Sequence, residues 1–475
     1  MRIKSLTLEN FKGISSPVKI EFKPITLLFG PNSAGKSTIV QALHYAQEIL
    51  SRQNVDADLV AGADDSLNLG GFRNLVHGHD LSRVIRLQFE IGLDEDMFEP
   101  FPLLESEDDF YDWFYKSAEA AEPVKTHYDI RDSFSVETAT VSLEIAWSNF
   151  FGRPFLKKYG IGFDGQHFAS IEAKPDGKEV AITDFNHDHP AFFLHDEESP
   201  EPKAVPYFFI LFSLSVKPSY FDYPAVTHLL VDGQDGALPR WNSKITIAEN
   251  CFLEREDWYE GADVESYIQM IHGQLSQLFV RPGEILQREL ERFCYIGPIR
   301  KIPARNYNAV RTDSSSRWAN GLAAWDRLYL GSDEFITQVG EWMGSDNHLD
   351  SGFSIKVRRF KMLDVESPLY QALVNATFLD DSEDQLGQLA GLPERREIVI
   401  VDEKRMVQVC PQDIGVGISQ LLPVVVGALD EEVNILAIEQ PELHVHPSLQ
   451  CRMGDLFIHQ VHEQSDKMFL LETHS

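Results

Sequence analysis

The chain has 475 residues, is 43% apolar and has ordinary glycine and proline counts, which suits a soluble globular protein of two or three domains with sizeable cores. Its formal charge of −32 repels a polyanion on average. Nucleic acid would therefore have to be met through a local basic patch, a basic partner subunit or a dimer groove. Cys251, Cys294, Cys410 and Cys451 form no CxxC pair, against a zinc site or a disulfide framework and in keeping with a reducing cytosol. The start MRIKSLTLENF alternates and carries charge, unlike a signal peptide, and the apolar run at 204–216 is too short and too broken to span a bilayer. A cytoplasmic location with no membrane partner is expected.

Residues 3–8 and 18–22 alternate as strands do. Residues 25–29 are continuously apolar, the pattern of a strand buried on both faces of a parallel sheet. Gly30, Pro31, Asn32, Ser33, Ala34, Gly35, Lys36, Ser37 and Thr38 follow at once, and then Ile39, Val40, Leu43, Ala46, Ile49 and Leu50 recur at helical spacing. Strands are expected at 84–93 and 138–146. Between them the acid-rich stretch 94–112, interleaved with Phe98, Phe101 and Phe110, reads as a solvated face with aromatic anchors or as a partner-docking surface. Further strands at 157–163, 168–173 and 179–182 lead to a polar loop around 195–202, and 264–292 reads as helix interrupted near Pro282. No heptad or internal repeat is present. The second half opens with Tyr295-Ile296-Gly297-Pro298-Ile299-Arg300. It passes through an amphipathic helix near 334–343 and strands near 353–360 and 397–401, and closes on three blocks at 413–420, 434–447 and 470–475.

The glycine loop carries the plainest chemistry. GxxxxGK[ST] between a strand and a helix lets successive backbone N–H groups face a phosphate at a helix amino terminus. Lys36 then reaches the β- and γ-phosphates of ATP, and the Ser37 hydroxyl is a Mg²⁺ ligand. Residues 435–438 are apolar and end in Glu439, as a buried strand does when it delivers a carboxylate to the Mg²⁺ shell; a core strand that merely ends in an acid is the plainer alternative. His444 and His446 form an HxH pair, but the further ligands that zinc needs are not evident. Arg300 and Arg305 stand out in an acidic chain, either facing a phosphate or a partner, or pairing with nearby acids.

The opening LxLENFKG, the GPNSAGKST loop, the IEQPELHVHPSLQ block and the terminal LLETHS resemble the ABC-type ATPase heads of the SMC, RecF and OLD proteins. YIGPIRKIPARNY and DIGVGISQLLP bring the chain nearest to AAA-labelled ATPases often found beside DNA-repair and phage-defence genes. The resemblance covers roughly residues 1–80 and 293–475. It implies an α/β ABC-type P-loop head, with mixed and parallel sheet flanked by helices, split by a mixed α+β insertion. The expected parts are an amino-terminal half at 1–93, the insertion at 94–292 and a carboxyl-terminal half at 293–475 with signature, Mg²⁺-binding acid and switch histidine.

Such heads dimerise with ATP between subunits, each γ-phosphate meeting a signature segment from the other. Here that segment resembles Gly415, Gly417 and Ser419, with either Ser419 or Gly415 at the phosphate-binding serine's place. An ordinary glycine turn with a serine cap is the alternative. The glutamate that orients the attacking water is replaced by Gln440. The resemblance then implies slow turnover, unless Glu442 substitutes as base, although glutamine orients water in small GTPases. His474 matches the switch histidine, and His444 and His446 fall in a loop near the other subunit.

The expected function is a slow Mg·ATP switch that dimerises and signals to a partner in DNA repair or anti-phage defence. The rivals are a nucleotide-gated scaffold without turnover and the ATPase subunit of a transporter. A nuclease of the OLD type would be a separate effector chain, and DNA would be reached through a partner or a local patch.

Overall fold

The computed structural model describes residues 3–31, 35–53, 69–94, 136–186, 236–254, 264–305, 315–375 and 389–473, with shorter pieces between. The expectations for residues 95–112, for the loop at 195–202, for Asn32, Ser33 and Ala34 and for His474 lie outside the described residues. In chain order the first elements are β1 (Ile3–Glu9), β2 (Val18–Glu21), β3 (Ile25–Phe29), α1 (Lys36–Arg52) and α2 (Gly71–Leu75). Two compact units emerge: the described residues of 3–23, 35–56 and 69–292 form the first, and those of 24–31 and 293–473 the second.

In the first unit β1 and β2 join β4 (Ile85–Gly92), β5 (Thr138–Ser148), β6 (Arg153–Phe163), β7 (Gln166–Ala173), β8 (Val180–Thr183) and β11 (Leu229–Leu230), past the short pair β9 (Phe221–Asp222) and β10 (Ala225–Val226). The sheet is antiparallel throughout, in the order β11-β8-β7-β6-β5-β4-β1-β2. Alternation decides its faces. Leu6, Leu8, Leu87, Phe89, Val141, Leu143 and Ile161 are buried on one side. The other carries ion pairs such as Arg86 with Glu9 and Glu144. β4 and β5, on either side of residues 93–94, pair along their length, and the chain changes unit at 292–293.

Helix α1 and the long α3 (Val264–Glu291) pack together in this unit, joined where the Gln47 amide donates to the Leu290 carbonyl. The interruption expected near Pro282 is a local break in the hydrogen-bond ladder and not an end of the helix; α3 runs through it. Proline removes one helical donor and pushes the backbone aside. The hydroxyl of buried Tyr159, from β6, enters the break: it donates to the Phe279 carbonyl at 2.8 Å and takes a hydrogen bond from the Gly283 amide. A side chain thus completes the backbone ladder from 120 residues away.

The second unit holds a parallel sheet in the order β12-β16-β17-β3, where β12 is Phe293–Ile296, β16 Ile435–Glu439 and β17 Met468–Thr473. The α/β class, with antiparallel and parallel sheets flanked by helices, is therefore borne out. β3 is parallel, as its apolar run implied, but the expected burial on both faces is not found. It is an edge strand, and Leu27 and Phe29 are exposed.

A second, antiparallel sheet of β13 (Phe353–Lys361), β14 (Glu394–Asp402) and β15 (Val407–Val409) shares its core with the parallel one. Helices α4 (Ser315–Ala319), α5 (Leu322–Leu330), α6 (Asp333–Gly344), α7 (Pro368–Asn375), α8 (Val416–Leu429) and α9 (Pro447–Glu463) complete the unit. Ser332 caps α6 by accepting from the Phe335 amide, as the serine before two acids suggests. From Leu421 onward α8 is buried all round, as an all-apolar helix must be. Each such leucine or valine stabilises the unit by roughly 2 kcal/mol on leaving water.

Candidate functional site

The chain leaves β3 at Phe29, turns at Gly30 with φ 151° and re-enters regular structure at Lys36, the first residue of α1. Gly35 caps that helix with φ +91°, a conformation a side chain would strain. The Thr38 amide donates to the Gly35 carbonyl at 3.1 Å, so the first turn is closed. Lys36 is buried and Ser37 half-buried.

In the second unit the parallel sheet brings its carboxyl ends level, the edge at which open α/β sheets take ligands. Glu439, the last residue of β16, lies opposite Glu472 of β17, and Glu472 lies opposite Leu28 of β3. Thr473, just before His474, pairs with Phe29, just before Gly30. One strand thus separates the strand feeding the glycine loop from the strand ending in Glu439.

Polar side chains gather on this edge. The Tyr295 hydroxyl, from β12, donates to Glu439 Oε2 at 2.5 Å; burial, then the neighbouring Glu439, pushes that phenol upward. Gln440 leaves the strand in the left-handed region at φ 49°, its amide donating to the Glu472 carbonyl at 2.8 Å. Glu442 accepts from Thr473 Oγ1 at 2.6 Å. Motif reading named Glu439, Gln440 and Glu442 but missed Tyr295, Glu472 and Thr473; the aromatic heading the YIGPIR block was the available signal for the first.

The glycine segment begins α8. Gly415 is its exposed cap and Gly417 lies in its first turn, where a Cβ would stand 2.8 Å from the His444 carbonyl. Ser419 is fully buried and turns inward, its hydroxyl donating to the Val416 carbonyl at 2.9 Å. Gly415 is thus the exposed member of the two alternatives. His444 is exposed, and His446 caps α9 by accepting from the Ser448 amide at 3.3 Å. Among the described residues no group of three His, Cys, Asp or Glu side chains is placed to hold a metal ion.

The two arginines part ways. Arg305 is exposed and pairs with Asp413 at 2.7 Å, the ion-pair alternative. Arg300 is 2% exposed and, among the described residues, makes no ion pair; its two Nη groups donate to main-chain carbonyls, while its buried Nε finds no partner. Burial lowers it to about 10, against the opposing pull of Glu442 first, so it stays charged near neutrality.

Residues 1–73 match the family model of the AAA ATPase domain. This stretch resembles that domain. It holds the LENFKG opening and the glycine loop, so the likeness read from those motifs is borne out. The chain is 52% identical over 44 residues to the chromosome partition protein Smc of Mycolicibacterium paratuberculosis and, equally, of Mycobacterium leprae. That stretch is 9% of this chain and 4% of each relative. The SMC head bound to the C-winged helix domain of ScpA aligns over 100% of this chain and 90% of its own, at 11% identity and TM-score 0.36. RecF bound to ATP aligns over 100% and 92%, at 11% identity and TM-score 0.31. Those alignments are too distant to add to the fold described above. Among the described residues no helix is long and apolar enough to cross a membrane.

Proposed function

We propose that the protein binds Mg·ATP and hydrolyses it slowly, as a switch that dimerises on the nucleotide. The phosphates would lie on the loop from Gly30 to Thr38, with Lys36 at the β- and γ-phosphates and Ser37 and Glu439 toward the metal. The observation that carries this reading is the row Glu439–Glu472–Leu28, which sets the acid strand level with the strand entering the loop. The donor set fits a hard cation: a hydroxyl and a carboxylate, with water and phosphate oxygens to complete the shell. Gln440 can orient a water but cannot take its proton, and a placed general base is worth ~10²–10⁴-fold, so turnover should be slow. Gly415, exposed, and Gly417, half-buried, at the start of α8 would present amides to the γ-phosphate of a second copy, and His474 would sense it. The Smc match supports a DNA-linked setting, in repair or defence, with an effector chain as partner.

Gln440 also favours a second reading, a scaffold gated by nucleotide without turnover. Steady-state ATPase of the parent, Lys36→Ala and Gln440→Glu separates the two. We expect the parent to exceed Lys36→Ala and Gln440→Glu to exceed the parent. A parent no faster than Lys36→Ala would leave only the scaffold.

A further inference from the structure

Arg300 is an unusual buried cation. A guanidinium taken out of water without a carboxylate at hydrogen-bond distance is costly to bury; Arg300 leaves Nε without a partner among the described residues and spends its two Nη groups on two separate elements. Nη1 donates to the Gln420 carbonyl on α8 at 3.1 Å, and Nη2 to the carbonyls of Glu439 at 3.0 Å and Gln440 at 3.2 Å. The backbone of the same residue is clamped. Its amide donates to Gln420 Oε1 at 3.2 Å, and Gln420 Nε2 donates back to its carbonyl at 2.8 Å. Gly321, at φ +80°, closes over the side chain, where an added Cβ would stand 3.0 Å from Arg300 Cβ. Two consecutive carbonyls turned toward one cation fix the peptide between Glu439 and Gln440 just where β16 ends and Gln440 takes its left-handed turn.

We propose that Arg300 is a positioning residue that ties α8 to the end of β16, so that whatever moves the amino end of α8 is felt at Gln440. The inference rests on the Mg·ATP reading above. It explains the residue type: only a planar fork serves carbonyls on both elements from one rigid group, and a lysine ammonium cannot reproduce the set. It also gives Gln420 a task, because the reciprocal amide pair holds the arginine main chain to the helix it reports on.

The test measures kcat and affinity for a fluorescent ATP analogue in the full chain for the parent, Arg300→Met, Arg300→Lys and Gln420→Leu, with Lys36→Ala as the blank. Arg300→Met should lower kcat at least about tenfold while analogue affinity stays within about threefold, because a small misplacement costs turnover before binding. Arg300→Lys should fall between, and in a Gln440→Ala background Arg300→Met should cost nothing further. Turnover by Arg300→Met equal to the parent, or losses that simply add to those of Gln440→Ala, would overturn the inference. Should Arg300→Met fail to fold, Gln420→Leu, which leaves the guanidinium in place, decides it: unchanged kcat refutes, a selective fall in kcat supports. Parent turnover no higher than Lys36→Ala would instead remove the hydrolysis reading, and the inference with it.

Discussion

Acid should loosen the first unit through one histidine. His44 sits in α1, two turns beyond Lys36, and is 5% exposed. Burial brings its imidazole down from 6.5 to about 4, against a smaller upward pull from Gln47. The native state therefore keeps His44 neutral at pH values where the unfolded chain already binds a proton. Its contribution is fully present above about pH 6.5 and is lost as the pH falls toward 4. The gap from 6.5 to about 4, at about 1.4 kcal/mol per pH unit, amounts to about 3.5 kcal/mol in full, of which about 3 kcal/mol is lost by pH 4.

Urea unfolding of the parent and of His44→Leu, followed from about pH 7 to about pH 4, reads this directly. The stability difference between them should move by about 3 kcal/mol in favour of the variant across that window. His167, His189 and His272 are also lowered by burial, but they steepen both curves alike and drop out of the difference. Because α1 begins with Lys36 and Ser37, ATP affinity of the parent should fall more steeply in the same window than that of His44→Leu. Curves that stay parallel down to pH 4 would refute the argument, since a neutral, buried imidazole cannot then be what acid attacks.

Tyr159→Phe keeps the ring and removes the hydroxyl from the break in α3, so two buried backbone groups lose their partner and the unit should lose about 2 kcal/mol, measured by urea unfolding. Gly283→Ala should cost as much or more, because its Cβ would meet the same hydroxyl at 2.4 Å and the Trp241 ring at 2.6 Å; in a Tyr159→Phe background part of that cost should vanish. In the second unit Gly417→Ala must push against the His444 carbonyl at 2.8 Å and should cost roughly 1–3 kcal/mol. Gly415→Ala meets nothing within 4 Å and should cost below about 1 kcal/mol by the same assay.

What the sequence made legible is what is local. The glycine loop between an apolar run and a helical repeat needs only adjacent residues to be read, and so does a strand that ends in Glu439. The level edge they share is not local: residues 25–29 pair with 469–473, and nothing in either run names the other as partner. The same limit explains β3. A continuous apolar run announces a strand in a parallel sheet but not its place in the order, and at the edge Leu27 and Phe29 stay exposed. Pro282 was legible as a fault in a helix; the tyrosine that mends it comes from a strand with no periodic tie to it.

Arg300 and Arg305 make the point most sharply, because they stand five positions apart and look alike as letters. Charge suggested an acid or a phosphate for each, and Arg305 does pair with Asp413 in solvent, where such a bond is worth less than about 1 kcal/mol. Arg300 is used for its donors instead, and that choice follows from burial: out of water its two Nη groups find carbonyls where β16 ends and α8 begins its buried course, and Nε alone is left without a partner among the described residues. A buried arginine is therefore read wrongly by its charge and rightly by the backbone it completes. Since those carbonyls belong to Gln420, Glu439 and Gln440, a change at residue 300 should be felt first in the chemistry next to Gln440, and only afterwards in the stability of the fold.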